Sequence, residues 1–317
     1  WKANHQGSSD IMTIDRRRLI QGAVAAGAAG LLMPGRPAGA ASLPITRPIP
    51  SSGEAMPVVG LGSWITFNVG KDPKLLDASA EVIKAFLDGG GRMIDSSPMY
   101  GSAQATIGYG LEKLGHPDAL FSADKVWISN PASGPAQIEA SREDWRVKRF
   151  DLSQVHNLLS WEAHLDTLAR MKADGQLRYI GITTSHGRRH RDIERILARE
   201  AIDFVQVTYN IVDREVEDRI LPLARERGIG VIVNRPYQRG ALVRRFGNKP
   251  LPDWVGETGA RSWAHFLLKF IISHPAVTCA IPATTSVAHV RENLDAAKGP
   301  LPDARLRERM ADYVRSF

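Results

Sequence analysis

From residue 58 onward, short apolar runs rich in β-branched residues alternate with longer stretches whose apolar positions recur three and four apart. A short continuous apolar run reads as a strand buried on both faces, and the wider spacing reads as a helix with one buried stripe. Eight runs, at 58–64, 92–95, 120–125, 152–156, 179–183, 204–208, 231–234 and 277–281, predict strands. Helical spacing at 75–87, 102–114, 162–172, 193–199, 216–227, 263–272 and 287–296 predicts the elements between them. Gly89, Gly115, Gly175 and Gly228 are expected to cap four of these helices. The third crossover, at 135–145, has the weakest helical pattern and is expected to be short, whereas 304–314 predicts an extra helix after the last unit. Regular alternation of this kind belongs to a parallel sheet with helices outside it. Eight units in about 260 residues match an α/β fold of one domain, a (β/α)8 TIM barrel over residues 42–317. A doubly wound sheet is the competing arrangement. It is disfavoured because Gly60-Leu61-Gly62 lacks the third glycine of a dinucleotide phosphate loop.

The first forty residues do not follow this pattern. Asp15-Arg16-Arg17-Arg18-Leu19-Ile20 precedes an uncharged Ala/Gly-rich stretch, 19–33, of about 15 residues. That is shorter than the roughly 20 residues a spanning helix needs, so no stable membrane span is expected. The arginine run before a weakly apolar core resembles a twin-arginine export signal, whose partner is the machinery that carries folded proteins. Met12 reads as the true start and Ala38-Gly39-Ala40 as the cleavage triplet, giving a leader over 1–41. The expected location is therefore the periplasm, or otherwise outside the cytoplasm.

Composition agrees with a globular chain, at 43% hydrophobic and 24% charged residues. The single cysteine, Cys279, excludes an internal disulfide and a zinc site built from several thiolates, and inside an apolar run it reads as a small core residue. The charge is +7, from 41 Lys and Arg against 34 Asp and Glu; removing residues 1–41, with five and two of these, leaves 36 against 32, or +4. A nucleic-acid partner is therefore not expected. His164, His265 and His274 have no metal-ligand spacing, and no metal is expected.

Four ionisable residues fall at, or just beyond, the predicted C-terminal ends of successive strands: Asp95 and Tyr100, then Lys125, then His156. A tyrosine beside a lysine is a proton donor whose phenolate the ammonium stabilises, which is expected to bring its pKa toward working pH. Asp95 is expected to pair with Lys125 and hold it, and His156 to hydrogen-bond a carbonyl oxygen. Asp124, one residue before the lysine, is expected to point away from this cluster.

The segment Ile94-Asp95-Ser96-Ser97-Pro98-Met99-Tyr100-Gly101 resembles the aspartate-to-tyrosine motif of the aldo-keto reductases. Asp124-Lys125-Val126-Trp127 is similar to that family's lysine motif, Val155-His156-Asn157 to its histidine motif, and Val58-Val59-Gly60-Leu61-Gly62-Ser63-Trp64 to its first barrel strand. The resemblance runs from about 57 to 297. It implies an NAD(P)H-dependent oxidoreductase, a monomer, that reduces a small aldehyde or ketone with Tyr100 as the acid and Asp95, Lys125 and His156 completing the tetrad. A protein that keeps the scaffold and binds a nucleotide without turnover is the alternative.

For the cofactor, the resemblance implies Gln206, with Thr183 and Thr184 where the family commonly has Ser-Asn, and Asn234 and Arg235 where many members have a tyrosine over the nicotinamide. Thr284, Ser286, Glu292 and Asn293 match the adenosine-phosphate segment. The usual 2′-phosphate grips align with Ala283 and His289, so the implied cofactor is NADP(H) or NAD(H). Arg235, Arg239, Arg244, Arg245 and Lys249 suit a pyrophosphate, or else form a solvated basic loop; Arg188-Arg189-His190-Arg191 reads as a solvated face. Trp64 and Trp127 match the family's substrate-pocket aromatics, Trp161 and Trp254 are expected to extend that wall, and Trp263, Phe266 and Phe270 are expected in the core. Replacing both Arg16 and Arg17 with lysine is expected to stop export, checked by fractionating cells that express the full chain; continued export would refute the twin-arginine assignment.

Overall fold

The computed structural model describes residues 44–317. The arginine run, the apolar stretch, Met12 and the cleavage triplet lie outside the described residues.

Among the described residues ten strands and ten α-helices follow in chain order. The first two strands, β1 (Thr46–Pro48) and β2 (Ala55–Pro57), form an antiparallel hairpin. The next eight form one parallel sheet in sequential order: β3 (Leu61–Gly62), β4 (Met93–Asp95), β5 (Phe121–Val126), β6 (Phe150–His156), β7 (Leu177–Thr183), β8 (Phe204–Thr208), β9 (Gly230–Asn234) and β10 (Cys279–Ala280). The ends of this sheet meet. Parallel bridges join Val59 to Ala280 and Gly62 to Ala283, and the Gly60 N–H donates to the Ala280 carbonyl at 2.8 Å. The barrel reading therefore holds against the open sheet.

The helices are α1 (Pro73–Asp88), α2 (Ala103–Lys113), α3 (Gly134–Trp145), α4 (Trp161–Ala173), α5 (His190–Arg199), α6 (Ile220–Glu226), α7 (Ala241–Phe246), α8 (Trp263–Ile272), α9 (Val287–Ala296) and α10 (Ala304–Arg315). In α1, Asp72 accepts from the Lys74 and Leu75 N–H groups, Pro73 opens the first turn, and Val82, Ile83 and Phe86 form the buried stripe. Gly89 ends this helix at φ −78°; the left-handed residue is Gly90, at +87°. The third crossover is a full helix of 12 residues ending on the buried Trp145. It lies so close to α2 that a Cβ on Gly108 would sit 2.0 Å from the Asp144 carbonyl oxygen. Trp263, Phe266 and Phe270 are buried as expected.

Two elements have no counterpart in the sequence pattern. One is α7, inside the basic segment read as a loop. The other is the β1–β2 hairpin. Its Ile49 and Met56 are fully buried in one apolar cluster with the inward-facing Met93, Phe121, Leu152, Tyr179, Phe204, Ile232 and Cys279. Burying each side chain is worth roughly 1.5–3 kcal/mol. Beside them Glu54 accepts from Arg92 at 2.9 Å and from the Tyr179 hydroxyl at 2.9 Å, and it pairs with Arg178.

At the closing seam a Cβ on Gly60 would lie 2.9 Å from the Met93 carbonyl oxygen and 3.0 Å from Cys279 Sγ. Gly60→Ala is expected to lower stability by about 1–3 kcal/mol through overpacking, measured by urea unfolding. An unchanged unfolding midpoint would show that the seam relaxes at no cost.

Candidate active site

Successive side chains of a strand face opposite sides of the sheet, so every second residue enters the barrel. Along the strand direction these inward residues change from apolar to polar. Beyond the floor formed by Met93, Phe121, Leu152 and Phe204 come Asp95, Lys125, Gln154, His156, Thr183, Gln206 and Asn234. Strand register sets them side by side: Lys125 opposite Gln154, His156 opposite Thr183, Thr183 opposite Gln206, and Thr208 opposite Asn234.

Lys125 and Asp95 form a buried ion pair. The ammonium donates to Asp95 Oδ2 at 2.6 Å and to the Ser96 carbonyl at 2.7 Å. Asp95 Oδ1 accepts from Gln206 Nε2 at 2.8 Å and from Gln154 Nε2 at 3.3 Å. Burial alone would depress the Lys125 pKa, but the opposing effects, led by the Asp95 carboxylate, outweigh it and the net direction is upward. The lysine is therefore held charged.

Tyr100, carried on the loop after β4, has its ring centroid 5.2 Å from Lys125 Nζ, edge-on to the His156 ring at 5.7 Å, and 6.5 Å from the Trp64 ring. The expected lowering of its pKa by Lys125 is present but outweighed. Burial is the larger effect and the phenol titrates above its ordinary value. His156 is 5% exposed, and burial followed by the Lys125 ammonium pushes its pKa down to about 3. Its Nδ1 lies 2.8 Å from Ser97 Oγ. Asp124 faces out of the barrel as expected and accepts from Gln104 Nε2 at 2.7 Å; burial raises its pKa to about 7.

These groups open onto a cavity of about 680 Å³, lined among others by Trp64, Asp95, Tyr100, His156, Thr183, Gln206, Asn234, Arg235, Thr284, Glu292 and Asn293. That volume suits a sizeable organic ligand.

A family model described as the aldo/keto reductase family matches residues 58–309. The chain belongs to the aldo/keto reductase family. A methylglyoxal reductase of Escherichia coli, YeaE, is 27% identical over 261 residues, 80% of this chain and 89% of that protein. An aldo-keto reductase of Bacillus subtilis, YhdN, is 29% identical over 203 residues, 58% of this chain and 60% of that one. Among solved structures, a Klebsiella pneumoniae aldo/keto reductase in complex with NADP and acetate is similar with a TM-score of 0.69 at 23% identity, covering 82% of this chain and 92% of that one. The glycerol dehydrogenase of Gluconobacter oxydans reaches 0.72 at 21% identity, covering 86% and 95%. At these identities the two structures show the shared barrel fold.

In this aldo/keto reductase not every expected cofactor residue reaches the cavity. Thr184 is outside its lining: its carbonyl accepts from Asn234 Nδ2 at 2.8 Å and its N–H donates to the Gln206 carbonyl. Ser286 is outside it too, because its side chain caps α9 by accepting from the His289 N–H. Gln206 lines the cavity with both ends of its amide already bonded, donating to Asp95 and accepting from Thr183 Oγ1 at 3.2 Å and Asn234 Nδ2 at 3.3 Å. Asn293 Oδ1 accepts from the Tyr237 hydroxyl, and Glu292 Oε1 from the Ser262 hydroxyl.

The basic cluster divides. Arg235, Arg239 and Arg244 line the cavity, whereas Arg245 stacks on Phe246 and Lys249 lies over Phe317. Arg188, expected to be solvated, lines the cavity as well. Trp127 is 40% exposed and flanks His156 at 6.3 Å, outside the lining. Trp254 does not extend the wall: it packs on Phe266 and Tyr313 beneath Arg309. Trp161 heads α4 and packs on the outer core. Sequence reasoning passed over Gln154, His186 and Tyr237, which carry no motif signal of their own, and gave no role to Ser97 although it lies within the aspartate-to-tyrosine motif.

Neutral His156 also sets a pH dependence. Its folded pKa lies below the usual 6.5, so between about pH 6.5 and pH 3 the unfolded chain binds the extra proton, and stability falls as pH falls through that window. His156→Gln is expected to lose less stability than the parent between pH 7 and pH 4, read from urea midpoints. An equal loss in both proteins would refute the neutral assignment.

Proposed function

We propose that this aldo/keto reductase is an exported enzyme that reduces an aldehyde or ketone with NADPH or NADH, or oxidises the corresponding alcohol. Tyr100 is the general acid, and Lys125, Asp95 and His156 assist it. The observation that carries the reading is the Tyr100–His156 pair over the buried Lys125–Asp95 ion pair, at the polar end of a cavity of about 680 Å³.

The residues present suit a nicotinamide dinucleotide. Thr183, Gln206 and Asn234 place a polar surface, bonded within itself, beside the tetrad; Arg235, Arg239 and Arg244 offer positive charge for phosphates; Thr284, Glu292 and Asn293 stand with them in the lining. The NADP complex of the similar Klebsiella protein supports the choice. When bound, the reduced nicotinamide supplies a hydride for the carbonyl carbon. The chain's own residues manage the proton. Burial keeps the Tyr100 phenol protonated at neutral pH, so it is loaded as an acid, and the phenolate left after donation faces the fixed Lys125 ammonium. Asp95 keeps that ammonium in place, and neutral His156 orients the carbonyl oxygen without competing as an acid.

The leader supports the location outside the cytoplasm, since a twin-arginine route carries folded protein and with it a cofactor loaded before transport. Tyr100→Phe is expected to reduce kcat/KM for carbonyl reduction by about 10²–10⁴-fold while the Kd for NADPH, read by cofactor fluorescence, stays within about two-fold. Cofactor binding without turnover of any aldehyde or ketone by the parent protein would favour a nucleotide-binding role on a retained scaffold.

A further inference from the structure

Ser97 lies on the turn after β4 and is fully buried. Its Oγ sits 2.8 Å from His156 Nδ1 and 3.2 Å from the Met99 backbone nitrogen, whose N–H donates to it. A hydroxyl has one proton to give and two lone pairs to receive, so the contact with His156 has two readings. If His156 Nδ1 carried the proton, Ser97 Oγ would accept twice and its own hydrogen would need a further acceptor. Among the described residues Ser97 Oγ forms no other hydrogen bond, so that arrangement strands a buried donor. If Ser97 donates to Nδ1 instead, every group is satisfied: Met99 gives to Oγ, and Oγ gives to the ring.

We infer that Ser97 is a positioning residue that fixes His156 in the tautomer with its proton on Nε2, so that the imidazole presents a neutral N–H donor to the substrate carbonyl oxygen. A doubly protonated ring is not a competitor, because burial and the Lys125 ammonium hold His156 neutral. Among the described residues Nε2 has no partner within the protein, while the ring itself lines the cavity. With the opposite tautomer Nε2 would face the carbonyl oxygen with a lone pair and repel it. The geometry therefore assigns to the first turn after β4 two tasks: Tyr100 brings the acid, and Ser97 sets which face of the histidine gives a hydrogen.

The inference rests on carbonyl reduction as the function, and its test separates the two. The full chain with 15N-labelled histidine is examined by long-range 1H–15N correlation at pH 7, with the His156 signals identified by their loss in His156→Gln. The parent is expected to show a protonated Nε2 and an unprotonated Nδ1. Ser97→Ala is expected to shift both nitrogens toward the averaged values of a tautomer mixture, and Ser97→Thr, which keeps the hydroxyl, to restore the parent pattern. In kinetics, Ser97→Ala is expected to lower kcat by about ten-fold, as removal of an orienting partner commonly does. The NADPH Kd is expected to stay near the parent value, whereas the urea midpoint is expected to fall modestly because the Met99 N–H and His156 Nδ1 lose their buried partner.

A protonated Nδ1 in the parent overturns the inference, as does a Ser97→Ala protein whose tautomer and kcat are both unchanged. Should Ser97→Ala fail to fold, the parent spectrum still decides between the tautomers. Absence of carbonyl turnover in the parent overturns the functional reading alone, since the spectrum reports the tautomer without substrate.

Discussion

Much of this molecule follows from the Lys125–Asp95 ion pair at the centre of the barrel. Removing two charges from water is expensive, and their attraction compensates only when the remaining lone pairs and protons are also bonded. Here they are: the Ser96 carbonyl takes a second ammonium hydrogen, and Gln206 and Gln154 donate to the second carboxylate oxygen of Asp95. That requirement reaches outward. Gln206 needs Thr183 and Asn234 at its own oxygen, and Asn234 in turn accepts from Thr208. The polar upper layer is thus one network whose members hold each other, and an apolar substitution at any of them strands a partner.

The same pair explains why the two ends of the barrel differ. The floor is closed by apolar side chains and the Ile49–Met56 plug, which keep water from reaching the charges from below. Above, the charges lie next to Tyr100 and His156, and they shape both through the field rather than by contact alone. The ammonium opposes protonation of the imidazole and favours the phenolate, while burial raises the cost of any charge on either ring. The result is a phenol that holds its proton and a histidine that remains neutral, on a barrel whose eight parallel strands end on one face.

How much of this was legible depends on range. Asp95, Tyr100, Lys125 and His156 were readable because each lies at, or just beyond, the end of an apolar run, and strand order alone brings such ends together. The hairpin was not, because each of its strands is three residues long and carries a proline, and its burial comes from the barrel mouth it plugs. Helix α7 was hidden inside a basic segment. Trp254 reads as a pocket wall because large aromatics near loops often are, yet its partners Phe266 and Tyr313 come from helices 12 and more residues further on, away from the cavity lining. Gln154 carries no local signal of its own and joins the network only through Asp95, which stands across the sheet.

By itself, the sequence determined the eightfold alternation of strand and helix, the end of the barrel at which the polar strand-end residues gather, and the four side chains Asp95, Tyr100, Lys125 and His156 among them. Periodicity and strand ends are local properties, and parallel topology converts them into positions. Tertiary structure decided the rest: which expected cofactor residues reach the cavity, why Thr184 and Ser286 do not, and that burial outweighs the nearby ammonium in setting the Tyr100 pKa. These outcomes depend on desolvation and on the last hydrogen-bond partner of each buried group, and both are fixed by residues distant in the chain.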